Sequence, residues 1–140
     1  MTAVRQATNL SDREIKWWLV VGDWLLLLLF VFIGQRDHGM AVVGALPSLF
    51  TTTLAIGVPW TIAALLLGTF RYGAGLSWQV WLGRVLTTWL VAAPLGLLLR
   101  ALLRGQASIP VPFMLVLLSL GGLFMLGWRA LVYWRLSRRP

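Results

Sequence analysis

The chain has 140 residues, of which 59% are hydrophobic and 11% carry a charge, and its mean hydropathy is +0.84. Soluble domains have roughly 25% charged residues, so this composition excludes a soluble domain and predicts an integral membrane protein. The net charge is +8, but the basic residues flank apolar runs and are assigned to topology and lipid headgroups rather than to nucleic acid. The chain has no cysteine, which removes disulfides, haem attachment and thiolate metal sites from consideration.

Four apolar runs are each long enough to cross about 30 Å of hydrocarbon at about 1.5 Å per residue. They cover residues 15–33, 46–70, 78–103 and 112–133. Because only short segments remain, the sequence predicts one transmembrane domain over residues 1–140, an all-α four-helix bundle. Pro59 and Pro94 lie inside the second and third runs, and we expect both helices to kink there because proline removes a helical hydrogen bond.

Small residues recur at four-residue intervals in the middle of the chain. Ala64 and Gly68 form one such pair, and Thr88, Ala92 and Gly96 form a longer ridge. Small residues let helix backbones approach closely in a membrane, where no hydrophobic force favours helix association. The ridge therefore predicts close packing of the third helix.

Basic residues are unevenly distributed between the two sides of the predicted bundle. Seven lie on the side shared by both termini and the second loop: Arg5, Arg13, Lys16, Arg71, Arg135, Arg138 and Arg139. The other side has Arg36, Arg100 and Arg104. Since cytoplasmic segments carry the excess of Lys and Arg, we expect both termini in the cytoplasm.

The aromatic residues show the same bias. The side with the termini carries Trp17, Trp18, Tyr72, Trp78, Trp81, Trp128, Tyr133 and Trp134. This Trp-rich face predicts an interface with a larger membrane complex. A bound lipid or pigment is compatible with the sequence. No other cofactor is expected.

Asp23 is the only acidic residue inside the first apolar run. A carboxylate in the hydrocarbon core costs at least about 2.5–3.5 kcal/mol unless it is neutralised or paired. Arg84 lies at the same predicted depth in the third helix, and Arg129 lies slightly nearer the surface in the fourth. We expect an Asp23–Arg84 pair with Arg129 nearby, acting either as a structural pair or as a proton or cation coupling site.

A second polar cluster is predicted at the external surface. It contains Arg36, Asp37, His38, Arg100 and Arg104. Two interpretations stay open: a solvated, charge-balanced loop, or a binding site for an anionic headgroup or small anion. His38 is the only histidine, and without further ligands nearby it does not favour a metal site.

Several short motifs resemble those of a known family. They are Asp23, Gly34-Gln35-Arg36-Asp37-His38-Gly39, Ala93-Pro94-Leu95-Gly96 followed by Arg100, and Gly127-Trp128-Arg129. With these motifs the chain resembles a bacterial family of small four-helix membrane proteins known only as a domain of unknown function. The resemblance implies a four-span inner-membrane protein and supplies no activity, cofactor or partner.

Three classes of function are compatible with these features. The first is a non-catalytic accessory or stabilising subunit of a larger membrane complex. The second is a small transporter or channel, resembling the four-helix multidrug exporters, that uses Asp23 as its coupling site and assembles as a homo-oligomer. The third is an enzyme, which we do not expect because no nucleophile–base set or paired carboxylates are evident.

Overall fold

The computed structural model describes residues 14–37, 42–73 and 75–138, and within these ranges the chain is all-helical. The helices are α1 (Trp17–Asp37), α2 (Val42–Leu66), α3 (Trp78–Leu103), α4 (Val111–Val116) and α5 (Gly122–Ser137). A π-helical turn, Leu117–Gly121, joins α4 to α5, so that Val111–Ser137 forms one continuous fourth span. The four spans are each long and apolar enough to cross a membrane, which confirms the predicted all-α, four-helix fold class.

The second span ends earlier than the sequence pattern predicts. The apolar run continues to residue 70, but α2 ends at Leu66 because Gly68 has a φ of 70°. Glycine enters this left-handed conformation without the steric cost that other residues pay. The Thr69 N–H donates to the Ala64 carbonyl over 2.8 Å, which is the hydrogen bond of a Schellman C-cap. Gly68 therefore ends a helix rather than extending a packing ridge.

The helices form a ring in which α1 and α3 lie on a diagonal. α1 packs against α2 and α5, while α3 packs against α2 and the fourth span. The α2–α3 pair is the most extensive contact in the bundle. Side chains on α1 therefore meet α2 and α5 before they meet α3.

Gly96 is the point of closest approach between α2 and α3. A β-carbon at this position would lie 3.0 Å from the Ile56 Cα atom and 3.1 Å from the Ala55 carbonyl oxygen. Pro59 has no N–H to donate to the Ala55 carbonyl, and this carbonyl oxygen lies beside the α3 backbone at Gly96. Thr88 and Ala92 are buried on the same ridge, as the sequence predicted. The kinks expected at Pro59 and Pro94 stay predictions.

We predict that Gly96→Ala lowers the free energy of unfolding by about 1–3 kcal/mol, because the added methyl group meets backbone atoms that cannot rotate away. Unfolding in mixed detergent micelles measures this. The matched control is Gly83→Ala, also in α3, where a β-carbon meets nothing within 4 Å. Gly83→Ala should be neutral or stabilising because alanine has the higher helix propensity. Equal effects of the two variants would contradict the close approach.

Candidate functional site

The bundle has two chemically different ends. The tryptophan end is where α1 and α3 begin and α5 ends, and its exposed residues include Trp17, Trp18, Trp78 and Trp134. The Arg104 end is where α1 and α3 end and where α2 and α4 begin. Each end contains one cluster of buried or half-buried polar side chains.

The cluster at the tryptophan end is built on an ion pair between α1 and α5. Asp23 and Arg129 are both 0% exposed. Arg129 donates from Nε to Asp23 Oδ1 over 3.1 Å and from Nη2 to Asp23 Oδ2 over 2.6 Å. This two-point contact uses the planar fork of the guanidinium and fixes both side chains in orientation as well as in distance.

Two indole N–H groups complete the environment of the carboxylate. Trp60 on α2 donates to Asp23 Oδ2 over 2.9 Å, and Trp128 on α5 donates to Asp23 Oδ1 over 3.0 Å. The carboxylate thus accepts four hydrogen bonds, two at each oxygen. A carboxylate offers about four lone-pair sites, so its accepting capacity is filled by the protein itself.

Arg129 is enclosed by the turn after α2 and by aromatic rings. Its Nη1 donates to the Thr69 carbonyl over 2.9 Å. The rings of Phe70 and Trp81 lie 5.4 and 5.3 Å from the guanidinium carbon, which is within range of cation–π attraction. Trp81 also donates from its indole to the Arg129 carbonyl over 3.1 Å, so α3 holds the backbone of this residue.

The turn that supplies the Thr69 carbonyl is itself fixed on both sides. The hydroxyl groups of Thr69 and Thr88 lie 2.6 Å apart, which ties the turn to α3. Lys16 donates its backbone N–H to the Phe70 carbonyl over 3.0 Å, next to an isolated antiparallel bridge between Ile15 and Arg71. All four spans and the turn after α2 therefore converge on the Asp23–Arg129 pair.

The predicted Asp23–Arg84 pair is not formed. Arg84 is half-buried on α3, and within the described ranges the ion-pair partner of Asp23 is Arg129 alone. Arg84 and Asp23 were placed at the same depth, but α1 and α3 lie on a diagonal, whereas α5 is directly beside α1. Depth along a helix does not show which helices are neighbours.

Part of the Trp-rich face is inside the bundle. Trp81 is 1% exposed and Trp128 is half-buried against Asp23, so these two indoles serve the interior rather than a partner. A β-carbon at Gly22 would lie 2.5 Å from the Trp128 ring, so this glycine makes the space that the ring occupies.

Trp60 and Trp128 were not predicted as partners of Asp23. The position of Trp60 could have indicated it, because Trp60 lies six residues before the end of α2 and thus at the depth of the carboxylate.

The Arg104 end contains a cavity of about 360 Å³ between α1, α2, α3 and α4. Arg100 donates from Nε to the Thr52 hydroxyl over 3.4 Å, and Arg104 donates from Nη2 to the Ser48 hydroxyl. Gln35 also donates to Ser48, over 3.2 Å. Both arginines line the cavity, together with mainly apolar side chains.

The structure divides the predicted external cluster. Arg100 and Arg104 are brought together at the cavity, whereas Arg36 and Asp37 are exposed at the end of α1. His38 lies outside the described residues. Of the two interpretations, a charge-balanced loop does not describe Arg100 and Arg104, because no carboxylate in the described part of the chain pairs with either.

We predict that Asp23→Asn lowers the free energy of unfolding by about 3–5 kcal/mol, because it leaves a buried guanidinium without its counter-charge. Arg129→Gln should cost a similar amount, and the double variant should cost clearly less than the sum of the two. The measurement is a double-mutant cycle, in which the free energy of unfolding in mixed detergent micelles is determined for the unsubstituted chain, both single variants and the double variant.

The matched control is the cycle of Asp23→Asn with Arg84→Gln. Because Arg84 makes no ion pair with Asp23, its coupling energy should be near zero and the effects should add. Coupling to Arg84 that equals the coupling to Arg129 would contradict the observed pairing.

Comparisons with known proteins give a family and no relative of known activity. The family model described as "Protein of unknown function (DUF3054)" matches residues 20–132. No curated protein and no solved structure matches the chain. The matched segment includes both Asp23 and Arg129 and all of α2, α3 and α4. The chain belongs to the DUF3054 family.

Proposed function

We propose that this multi-pass membrane protein is non-catalytic and serves as an accessory or stabilising subunit of a larger membrane complex. The proposal rests on the environment of the Asp23 carboxylate. This group is fully buried and accepts four hydrogen bonds from Trp60, Trp128 and Arg129. A group enclosed in this way holds helices together. It has no accepting capacity left for a substrate or a transported ion.

The same geometry weighs against a transporter that uses Asp23 as its coupling site. A coupling carboxylate must be reached by water or by the ion and must change its protonation state during transport. Asp23 is 0% exposed and its carboxylate is ion-paired with Arg129, so neither water nor an ion reaches it in this arrangement. The pair is therefore better suited to fixing helix positions than to moving charge.

A partner surface is available at the tryptophan end. Trp17, Trp18, Trp78 and Trp134 are each 46–66% exposed at this end. Tryptophan suits a membrane–water boundary because its ring is apolar and its N–H can reach a polar partner. We assign this surface to contact with the larger complex and with lipid headgroups.

For topology, we propose that the tryptophan end faces the cytoplasm and that the membrane is a bacterial inner membrane. In the described ranges this end carries Lys16, Arg71, Arg135 and Arg138. Two of the three basic residues at the other end, Arg100 and Arg104, face the cavity. The excess of accessible positive charge thus lies at the tryptophan end, as the positive-inside rule requires of a cytoplasmic surface.

Single cysteines test this topology, since the chain has none of its own. Ser108→Cys lies in the exposed loop before α4, and Ser137→Cys is the matched substitution at the end of α5. In intact cells a membrane-impermeant maleimide should label only the Ser108 variant, and permeabilisation should expose both. Labelling of Ser137→Cys in intact cells would contradict the orientation.

Quantitative purification tests the subunit proposal. The tagged chain is extracted from its native membrane into nanodiscs, and bound proteins are identified by mass spectrometry. We expect a larger membrane protein at a fixed ratio, and we expect the chain to be degraded when that protein is absent. Trp78→Ala should weaken the association, whereas Val80→Ala, a matched exposed position on α3, should not.

A homo-oligomer without other proteins would instead favour transport, and proteoliposomes decide that case. In a coupled transporter, Asp23→Asn would leave the thermal unfolding temperature unchanged and abolish pH-dependent flux. That combination would overturn the structural role of Asp23. Loss of stability in Asp23→Asn, with no flux from the unsubstituted chain, would support it.

A further inference from the structure

The cavity at the Arg104 end is amphipathic along its depth. Phe30, Val31, Ile56 and Leu117 line it on the side toward the middle of the bundle, and Arg100 and Arg104 line it near the helix ends. Val31 lies six residues before the end of α1, so the apolar part reaches about 9 Å into the span at about 1.5 Å per residue. Its volume of about 360 Å³ is within the range of about 300–1,000 Å³ that is typical of small-molecule sites.

The two arginines bring positive charge to this cavity. The chain has only four acidic residues, and within the described ranges Asp23 is paired with Arg129 and Glu14 with Lys16, both at the tryptophan end. Arg100 and Arg104 form no ion pair in the same ranges. Charged side chains at membrane depth are costly unless paired, which favours an anion from outside the chain.

Neighbouring side chains hold the guanidinium groups toward the cavity. The Thr52 hydroxyl accepts from Arg100 Nε, and the Arg100 guanidinium carbon lies 4.1 Å from the centre of the Phe113 ring. The Ser48 hydroxyl accepts from Arg104 Nη2. Each guanidinium has five N–H donors, so both keep donors for a phosphate after these contacts.

We propose that this cavity binds one anionic membrane phospholipid. The phosphate lies between Arg100 and Arg104, and part of an acyl chain enters the apolar interior beside Val31, Ile56 and Leu117. A free phosphate would satisfy the arginines but would leave the apolar part of the cavity unfilled. A neutral apolar molecule would fill the interior but would leave the two charges without a counter-ion. The lipid satisfies both requirements.

Native mass spectrometry tests the proposal on the purified full chain in a neutral detergent. The probe is dioleoyl phosphatidylglycerol, compared with dioleoyl phosphatidylcholine and with inorganic phosphate as a competitor without a tail. We expect one phosphatidylglycerol to be retained per chain, with at least about tenfold preference over phosphatidylcholine. Arg104→Gln should weaken retention about tenfold, because a charge-assisted contact is lost.

Two control variants distinguish lipid binding in the cavity from general attraction to positive charge and from misfolding. Arg71→Gln removes one exposed positive charge at the tryptophan end and should leave retention unchanged. Gly34→Leu fills the cavity from α1, where a β-carbon meets nothing within 4 Å, and keeps both arginines. It should weaken lipid retention, whereas Gly83→Leu, at an equally open position on α3, should not.

Three outcomes would overturn the proposal. Equal weakening by Arg71→Gln and Arg104→Gln would mean diffuse attraction to the surface. Equal retention of phosphatidylcholine would remove the role of the arginines. Full displacement by inorganic phosphate, with no effect of Gly34→Leu, would mean a site for a free anion without a lipid tail.

Discussion

The Asp23–Arg129 pair constrains how the four spans can be arranged. Because both residues are fully buried, neither can be satisfied by water, and each must obtain its hydrogen bonds from the protein. The partners come from α2, α5 and the turn after α2, while α3 holds the Arg129 carbonyl through Trp81. Any arrangement that separates α1 from α5 leaves two opposite charges unpaired in an apolar environment, so the pair requires these two helices to be neighbours.

Tryptophan and glycine act together in this bundle. The Trp128 ring occupies the space beside Gly22, and the Trp89 ring lies against Gly121, where a β-carbon would be 2.6 Å from it. Trp89 also donates from its indole to the Leu118 carbonyl in the π-helical turn, over 3.1 Å. In both cases the missing glycine side chain lets a large ring approach closely enough for its N–H to reach a polar group. The tryptophans are thus hydrogen-bond donors to the interior as well as boundary residues.

The sequence was sufficient to predict the four helices but not to predict which of them pack against each other. Hydropathy and length predicted four helices, since they depend only on local composition, and the position of α3 was predicted at residues 78–103, as observed. The prediction that Asp23 pairs with Arg84 was wrong. The ion-pair partner depends on which helices are adjacent, and the order of the helices leaves no local signal in the sequence. Gly68 was read as a packing residue because a glycine in a small-residue pattern does not indicate whether its φ is positive.

The two ends of the bundle differ in how their positive charges are paired. At the tryptophan end Arg129 has a carboxylate, a carbonyl and two aromatic rings from the same chain, so its site is complete. At the other end, the hydrogen-bond partners of Arg100 and Arg104 among the described residues are neutral hydroxyl groups, and an apolar cavity adjoins both arginines. A hydroxyl can orient a guanidinium but cannot neutralise it, so the charge there is left for an anion from the surroundings. The Asp23–Arg129 site is complete within the chain and keeps α1 beside α5. The cavity with Arg100 and Arg104 is the site at which the bundle can bind another molecule.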